Sequence, residues 1–489
     1  MKGMGLLEFA EHERTAALAC LPESSRGKMG QFFTPIQAAK LIASMPALPH
    51  SPHVRILDPG AGSGVLSAAI VHRLLTECPE LQIEIISVEK DPFIVPYLEA
   101  TLNKCESIGH GRVTTKVIQA DFILDFAGIE NYFDLGAFDL VIQNPPYGKL
   151  AANSAERRLL QEMYVDAPNL YAAFLALSIR LLCTGGQLVA ITPRSFFNGP
   201  YFLDFRNYLL DTVALNRIHV FSSRSAVFAD GGVLQENVIF SATRDGLRSS
   251  VEITESRDQN SEIRSRRSPY DKVVFPVDPN NFIRLVGTDE VAVLAEEMLS
   301  QPRTLSDLGV QVSTGKVVDF RSRNALREQE VSGAVPLIYP GNLRDGKVRW
   351  PLCIKKPQWF LTTEAGAKSL LLPEGWYTVV KRFSAKEEKR RIVAAIWSPE
   401  EYPGPVAFEN HLNIFHIGGR GLDRELAGGL AAWLNSELVD KYFRTFSGHT
   451  QVNATDLRTL RFPEIEALRS LGNFEGINVT DATGQGLAA

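Results

Sequence analysis

The sequence predicts an α/β protein: a doubly wound, mostly parallel sheet in the first half of the chain, followed by a mixed α/β module. Three observations lead there. From about residue 54, short apolar runs alternate with helix-like stretches, and strands followed by amphipathic helices in that rhythm are βαβ units. The runs are nearly continuous in apolar residues, as strands covered on both faces require. After residue 245 the rhythm stops, and the turn signals Pro340-Gly341-Asn342, Asp345-Gly346 and Pro373-Glu374-Gly375 separate short β-like runs.

Taken in order, VRILDPG (54–60) reads as a strand and VLSAAIVHRLLTEC (65–78) as a helix. The strand IEIISVEKD (83–91) leads to the helix PFIVPYLEATLNKC (92–105), then come TTKVIQAD (114–121) and FDLVIQNPP (138–146). LYAAFLALSIRLL (170–182) is a further helix, and GGQLVAITP (185–193) a strand entered through its glycine pair. Residues 245–272 are rich in Arg, Ser, Asp and Glu, which places a domain boundary there and gives domains 1–245 and 246–489. A chain of 489 residues is long enough for two or three cores.

Composition narrows the class. With 45% hydrophobic and 22% charged residues, and no run of about 18 apolar ones, the chain is not expected to cross a membrane. The start MKGMGLLEFAEHERTAA is acidic where a secretory signal is basic then apolar, so a cytoplasmic location is expected. The five cysteines are scattered and never paired as C-x-x-C; they read as buried reduced thiols, and no metal site is expected, His411 and His416 included. The net charge of −5 arises in residues 1–245, with 20 Lys+Arg against 25 Asp+Glu; the remainder balances at 31 against 31. A balanced half can still present a basic face to phosphate.

The first chemical signal is Asp58-Pro59-Gly60-Ala61-Gly62-Ser63-Gly64 between strand and helix. Gly60, Gly62 and Gly64 permit a tight turn and close approach of a ligand, which suits a nucleotide-containing cofactor, a dinucleotide included. Glu89 ends the second strand, where a carboxylate can accept both hydroxyls of a ribose. Asp121-Phe122 ends the third, placed for an amino group and a ring face of adenine. Acidic residues at strand ends are also ordinary helix caps.

The next strand delivers Asn144-Pro145-Pro146-Tyr147 to the same edge of the sheet. Consecutive prolines lack N–H donors and fix φ, so they end the strand and stiffen the loop that carries Asn144. The Asn144 side-chain oxygen and the Pro145 carbonyl are both acceptors. Together they suit a planar exocyclic amine, whose hydrogens they can grip so that the nitrogen lone pair turns out of the ring. Tyr147 offers a face on which a base stacks.

In this order the residues resemble the gamma-type, TaqI-like adenine-N6 DNA methyltransferases of restriction-modification systems. That class carries an F-x-T-P segment, a glycine loop, the catalytic motif and then a target-recognition domain. Here Gly30-Gln31-Phe32-Phe33-Thr34-Pro35 runs into a helix, IQAAKLIASM (36–45). The resemblance implies a Rossmann-like class I methyltransferase domain over 1–245 and a target-recognition domain over 246–489. It implies S-adenosyl-L-methionine as cofactor, a flipped-out adenine in double-stranded DNA as substrate, and a separately encoded restriction endonuclease as genetic partner. Thr34 is carried over to the methionine end of the cofactor. ITPRSFFNGPYFLDFRNYLL (191–210) continues the likeness, with Arg194 and Ser195 near the DNA or the loop, and AVFADGGVLQENVIF (226–240) supplies Phe228 as an aromatic face for the flipped base.

In the second half, VSTGKVVDFRSR, IYPGNLRDGKVRWP, VVKRFSAKEEKRRI, ENHLNIF and SGHTQVNATDLRTLRFP look like recognition regions. Lys381, Arg382, Lys386, Lys389, Arg390 and Arg391 suit phosphates, although a solvated face has the same composition. Gln451 and Asn453 carry amides that suit adenine edges or loop hydrogen bonds. Two other readings stand beside this one: an amino-group methyltransferase acting on RNA or on a protein glutamine, and a non-catalytic DNA-binding specificity protein on the same scaffold. No P-D…E-x-K arrangement for nuclease metal ions is visible.

Overall fold

The computed structural model describes residues 4–20, 33–127, 137–221, 237–259, 261–276, 278–285, 289–364, 366–384, 388–446 and 451–473. The chain forms two compact units, Met1–Leu285 and Val286–Ala489.

The first unit is built on a nine-stranded sheet in the order β3-β2-β1-β4-β5-β7-β6-β8-β9. β1 (His53–Pro59), β2 (Gln82–Glu89), β3 (Val113–Gln119), β4 (Phe138–Gln143) and β5 (Leu182–Pro193) are parallel. β6 (Val213–Phe221) is parallel to β8 (Ser250–Ser256), whereas β7 (Asn237–Arg244) and β9 (Arg264–Pro269) run antiparallel to their neighbours. The helices include α1 (Leu6–Cys20), α2 (Ile36–Ala43), α3 (Val65–Glu77), α4 (Val95–Gly109), α5 (Phe122–Phe126), α6 (Ala155–Glu162), α7 (Leu170–Leu181) and α8 (Leu203–Thr212).

Side-chain alternation explains the continuous apolar runs. Ile56, Leu140 and Ile142 join Ile70, Leu98 and Leu102 of α3 and α4 on one face; Leu57 and Val141 join Phe174, Leu175 and Phe205 of α7 and α8 on the other. The order reverses between β1 and β4, so the loops after these two strands open a crevice at their carboxyl ends. Ligands of doubly wound folds bind in that position.

The unit boundary lies at residue 285, beyond the 245 expected from composition. β8 and β9 lie after residue 245 and complete the first sheet. Composition misled because β9 is an edge strand, RSRRSP, with no buried residue. Charged edge strands block further pairing, and they look like linker sequence.

The second unit is mixed α/β. One sheet has six strands in the order β10-β20-β17-β18-β14-β13: β10 (Gln311–Thr314), β13 (Leu343–Arg344), β14 (Lys347–Val348), β17 (Tyr377–Lys381), β18 (Ala394–Trp397) and β20 (Leu412–His416). The other is β11-β15-β12-β19-β16: β11 (Leu326–Arg327), β12 (Ala334–Ile338), β15 (Trp359–Leu361), β16 (Leu371–Leu372) and β19 (Val406–Phe408). Tyr377, Val379, Trp397, Phe408 and Ile414 form its main core. Helices α9 (Asp289–Ser300), α10 (Arg424–Leu434), α11 (Glu437–Phe446), α12 (Ala454–Arg458) and α13 (Ile465–Gly472) complete it. Among the described residues, no helix is long and apolar enough to cross a membrane.

Candidate active site

β1 ends in the glycine loop. Gly60, Gly62 and Gly64 have φ of +69, +55 and +83°, so the loop turns through conformations that side chains resist. Gly60 and Ala61 donate their N–H groups to the Val88 carbonyl of β2. The loop is tightly covered: a Cβ on Gly60 would lie 3.3 Å from the Phe174 ring, and one on Gly62 would lie 3.3 Å from the Phe33 ring. Phe33 comes from the F-x-T-P segment.

Glu89 braces the loop at the end of β2. Its Oε2 accepts the Gly62 N–H at 2.8 Å and its Oε1 the Asp91 N–H at 2.9 Å. Burial raises its pKa, against the opposing pull of the Asp91, Gly62 and Lys90 N–H groups. The carboxylate retains acceptor capacity beyond these N–H groups, which fits a ribose hydroxyl. Asp58 is fully buried on β1; Oδ2 accepts Ser67 Oγ–H at 2.6 Å, and Oδ1 has no hydrogen-bond partner. Burial pushes its pKa up to about 7.

Asp121 is brought to the same edge, but as the N-cap of α5. Its Oδ1 accepts the N–H groups of Ile123 and Leu124, and its Oδ2 pairs with Lys90 Nζ at 2.8 Å. Burial opposes its charge, but the Leu124 N–H, Lys90 and the Ile123 N–H outweigh that and hold the carboxyl below its usual range. Phe122 is buried against Phe174, ring centres 5.0 Å apart.

The Asn144 side chain is held at both ends. Nδ2 donates to Thr34 Oγ1 at 3.0 Å, and Oδ1 accepts the Tyr147 hydroxyl at 3.2 Å. The first bond joins residues 110 positions apart. It is possible because Pro35 opens α2 and Glu11 of α1 accepts the Ile36 N–H at 3.2 Å, pinning the start of that helix. Tyr147 meets Tyr171 edge-on at 6.3 Å, and Tyr171 in turn shares a hydrogen bond with Ser195 at 2.8 Å. Burial raises the Tyr147 pKa well above the usual tyrosine range, so its hydroxyl keeps its proton.

The family model of the Eco57I restriction-modification methylases matches residues 97–228, a span that contains this motif. The type II methyltransferase M.PstI of Providencia stuartii is 43% identical over 94% of this chain and 92% of its own length. M.BsuBI of Bacillus subtilis, also a type II methyltransferase, is 41% identical over 96% and 94%. The chain belongs to the type II methyltransferases of restriction-modification systems. A solved relative in fold is the type IIL restriction-modification enzyme MmeI in complex with DNA: TM-score 0.54, 12% identity, 90% of this chain and 62% of that one. The fold of this methyltransferase is the doubly wound, mostly parallel α/β type that the sequence predicts.

Phe228 lies outside the described residues, as do Phe32 and Lys386. In the second unit, Lys381 ends β17 and Lys389 is exposed. The Arg382 guanidinium donates to the Asn410 carbonyl, that of Arg390 to the Asn435 carbonyl, and Arg391 is buried with Nε on Ser384 Oγ. Three of these cations therefore serve the fold. Asn453 is the N-cap of α12, its N–H and Nδ2 both donating to Asp456 Oδ2. Gln451 pairs in backbone with Phe383.

The cysteines are free, but only Cys105 is buried, and Cys20 and Cys353 are exposed. Among the described residues no group of His, Cys, Asp or Glu is placed to hold a metal. Sequence reasoning missed Phe33, Phe174, Ser67 and Lys90. Phe33 sits inside the recognised segment, so it carried a signal; the others read as ordinary core or surface.

Proposed function

We propose that the chain is a site-specific DNA methyltransferase that transfers the methyl group of S-adenosyl-L-methionine to N6 of an adenine flipped out of duplex DNA. Its genetic partner is a separately encoded restriction endonuclease. The observation that carries this reading is the Thr34–Asn144–Tyr147 hydrogen-bond chain beside the glycine loop. DNA as substrate rests on family membership and on the size of the second unit.

When bound, S-adenosyl-L-methionine supplies an electrophilic sulfonium methyl; Thr34, the glycine loop, Glu89 and the Asp121-Phe122 corner are the residues to hold it. Asn144 Oδ1 and the Pro145 carbonyl accept the two hydrogens of the adenine amine, leaving its lone pair free of the ring. Because Thr34 occupies Nδ2, the amide oxygen rather than its nitrogen faces the amine. Pro145 and Pro146 keep both acceptors in one orientation. Such alignment is worth up to roughly 7 to 11 kcal/mol of barrier. Neither Asn144 nor the protonated Tyr147 is a base, so the amine proton leaves to water after the methyl is in place. Tyr147 stacks on the flipped base, which is out of reach inside the duplex.

The test is transfer of labelled methyl to plasmid DNA, with sequencing that maps the modified bases. N6-methyladenine at one motif is expected. N4-methylcytosine would overturn the base, and label appearing only in RNA or protein would overturn DNA as substrate.

A further inference from the structure

Four segments far apart in sequence meet at one end of the six-stranded sheet of the second unit. β17 continues into Arg382 and Phe383, and β20 begins just after His411; in this antiparallel pair Lys381 faces Leu412. Arg382 N–H donates to the His411 carbonyl at 2.9 Å and Val452 N–H to the Arg382 carbonyl at 2.7 Å. From the middle of β20 the buried Asn413 amide donates to the Val452 carbonyl at 2.7 Å and accepts from Thr314 Oγ1 of β10 at 3.3 Å. One buried side chain therefore binds three of the segments together. The fourth, the end of β17, is tied in by the two backbone bonds of Arg382, and Gly315 after β10 abuts the Glu409 backbone so tightly that a Cβ would meet its carbonyl oxygen at 2.2 Å.

This framework presents His411. Its side chain is half exposed, 48%, yet its Nδ1 lies 2.5 Å from the carboxylate of Glu409, whose side chain is 3% exposed. Glu409 also accepts the His411 backbone N–H at 2.9 Å. Phe383 lies against the imidazole, ring centres 5.0 Å apart, and is itself 42% exposed. A surface histidine needs neither a buried carboxylate nor an exposed aromatic wall. The pair fixes which nitrogen carries the proton and which way the ring points. When Nδ1–H is directed to Glu409 and Nε2 carries no proton, Nε2 is an acceptor, and among the described residues nothing pairs with it.

We infer that this sheet end is a base-reading site for duplex DNA, in which Nε2 of His411 accepts the exocyclic amine of an adenine or cytosine in the major groove. Phe383 supplies apolar contact to the neighbouring base edge, and Glu409 is a positioning residue. Exocyclic amines are the donors that the major groove displays, and an aromatic wall suits a thymine methyl. The inference rests on the DNA-methylation reading above.

The experiment exposes plasmid DNA and S-adenosylmethionine to the wild-type chain and to H411A and E409Q, and sequences the modified sites. The wild type defines a motif. H411A should relax discrimination by about tenfold at one A·T or C·G pair of that motif, with the other positions, the salt dependence and the melting temperature unchanged. E409Q should relax the same position less. Unchanged discrimination in H411A would overturn the inference. So would a loss uniform across all sequences with a shallower salt dependence, which marks a phosphate contact. No transfer to plasmid DNA by the wild type would instead overturn the underlying DNA reading, and the inference with it.

Discussion

Thr34 carries two expectations that kinetics can separate. If its hydroxyl served only the cofactor, Thr34→Val would raise KM for S-adenosylmethionine and leave kcat unaffected. Its bond to Asn144 Nδ2 predicts that kcat falls about tenfold, the worth of one such bond, with Thr34→Ser near wild type. Asn144→Ala should lower kcat at least about a hundredfold at unchanged melting temperature, since it removes a group aimed at the reacting amine. Asp58 poses a different question. Its folded-state pKa of about 7 stands above the ordinary 3.8 because of burial. As pH rises from about 4 to about 7 the unfolded carboxyl ionises while the buried one holds its proton, so the folded state loses stability over that window. Above it the loss is constant, on the order of 4 kcal/mol. Asp58→Asn keeps an acceptor for Ser67 and never ionises. Its melting temperature should therefore pull ahead of wild type between pH 5 and 7 and stay ahead above; a gap independent of pH would show that Asp58 does not titrate this way.

At the scale of elements, α10 and α13 lie so close that a Cβ on Gly429 would meet the Leu468 carbonyl oxygen at 1.8 Å, and one on Gly472 the Glu425 carbonyl oxygen at 2.0 Å. Backbone cannot give way as a side chain can. Gly429→Ala should thus cost about 3 kcal/mol or more, read as a lower denaturant midpoint, although no proposed site residue is touched. Nothing in the sequence points to this partner, because the contact is with backbone 39 residues away. The same limit governs what was legible elsewhere. β1, β2, β4 and β5 and their helices announced themselves, because a strand buried on both faces leaves a nearly continuous apolar run, whereas the edge strand β3, VTTKVIQ, showed only its β-branched residues. β9, exposed along its length, left none. The strand-end residues Asp58, Glu89 and Asn144 were legible because each closes such a run, and Asp121 because it follows the β-branched run of β3. The bond between Thr34 and Asn144 and the contact of Phe383 with His411 were not, since nothing local joins residues brought together by the fold.

For the whole molecule, the net charge of −5 conceals a division that the structure makes physical. The proposed cofactor residues all lie in the first unit and the proposed base-reading residues all lie in the second, and each unit has a core of its own. A ligand that binds one folded unit stabilises that unit by RT ln(1 + [L]/Kd), about 2.7 kcal/mol at a hundred times Kd, and acts on the other only through whatever couples them. Scanning calorimetry of the full chain should accordingly resolve two transitions. Saturating S-adenosylmethionine should raise the one belonging to the first unit by a few degrees and leave the other in place. Assignment comes from Gly429→Ala, which should lower only the transition that the cofactor does not move. If a single transition shifts with both perturbations, the two units unfold as one, and the cofactor stabilises the base-reading surface along with its own site.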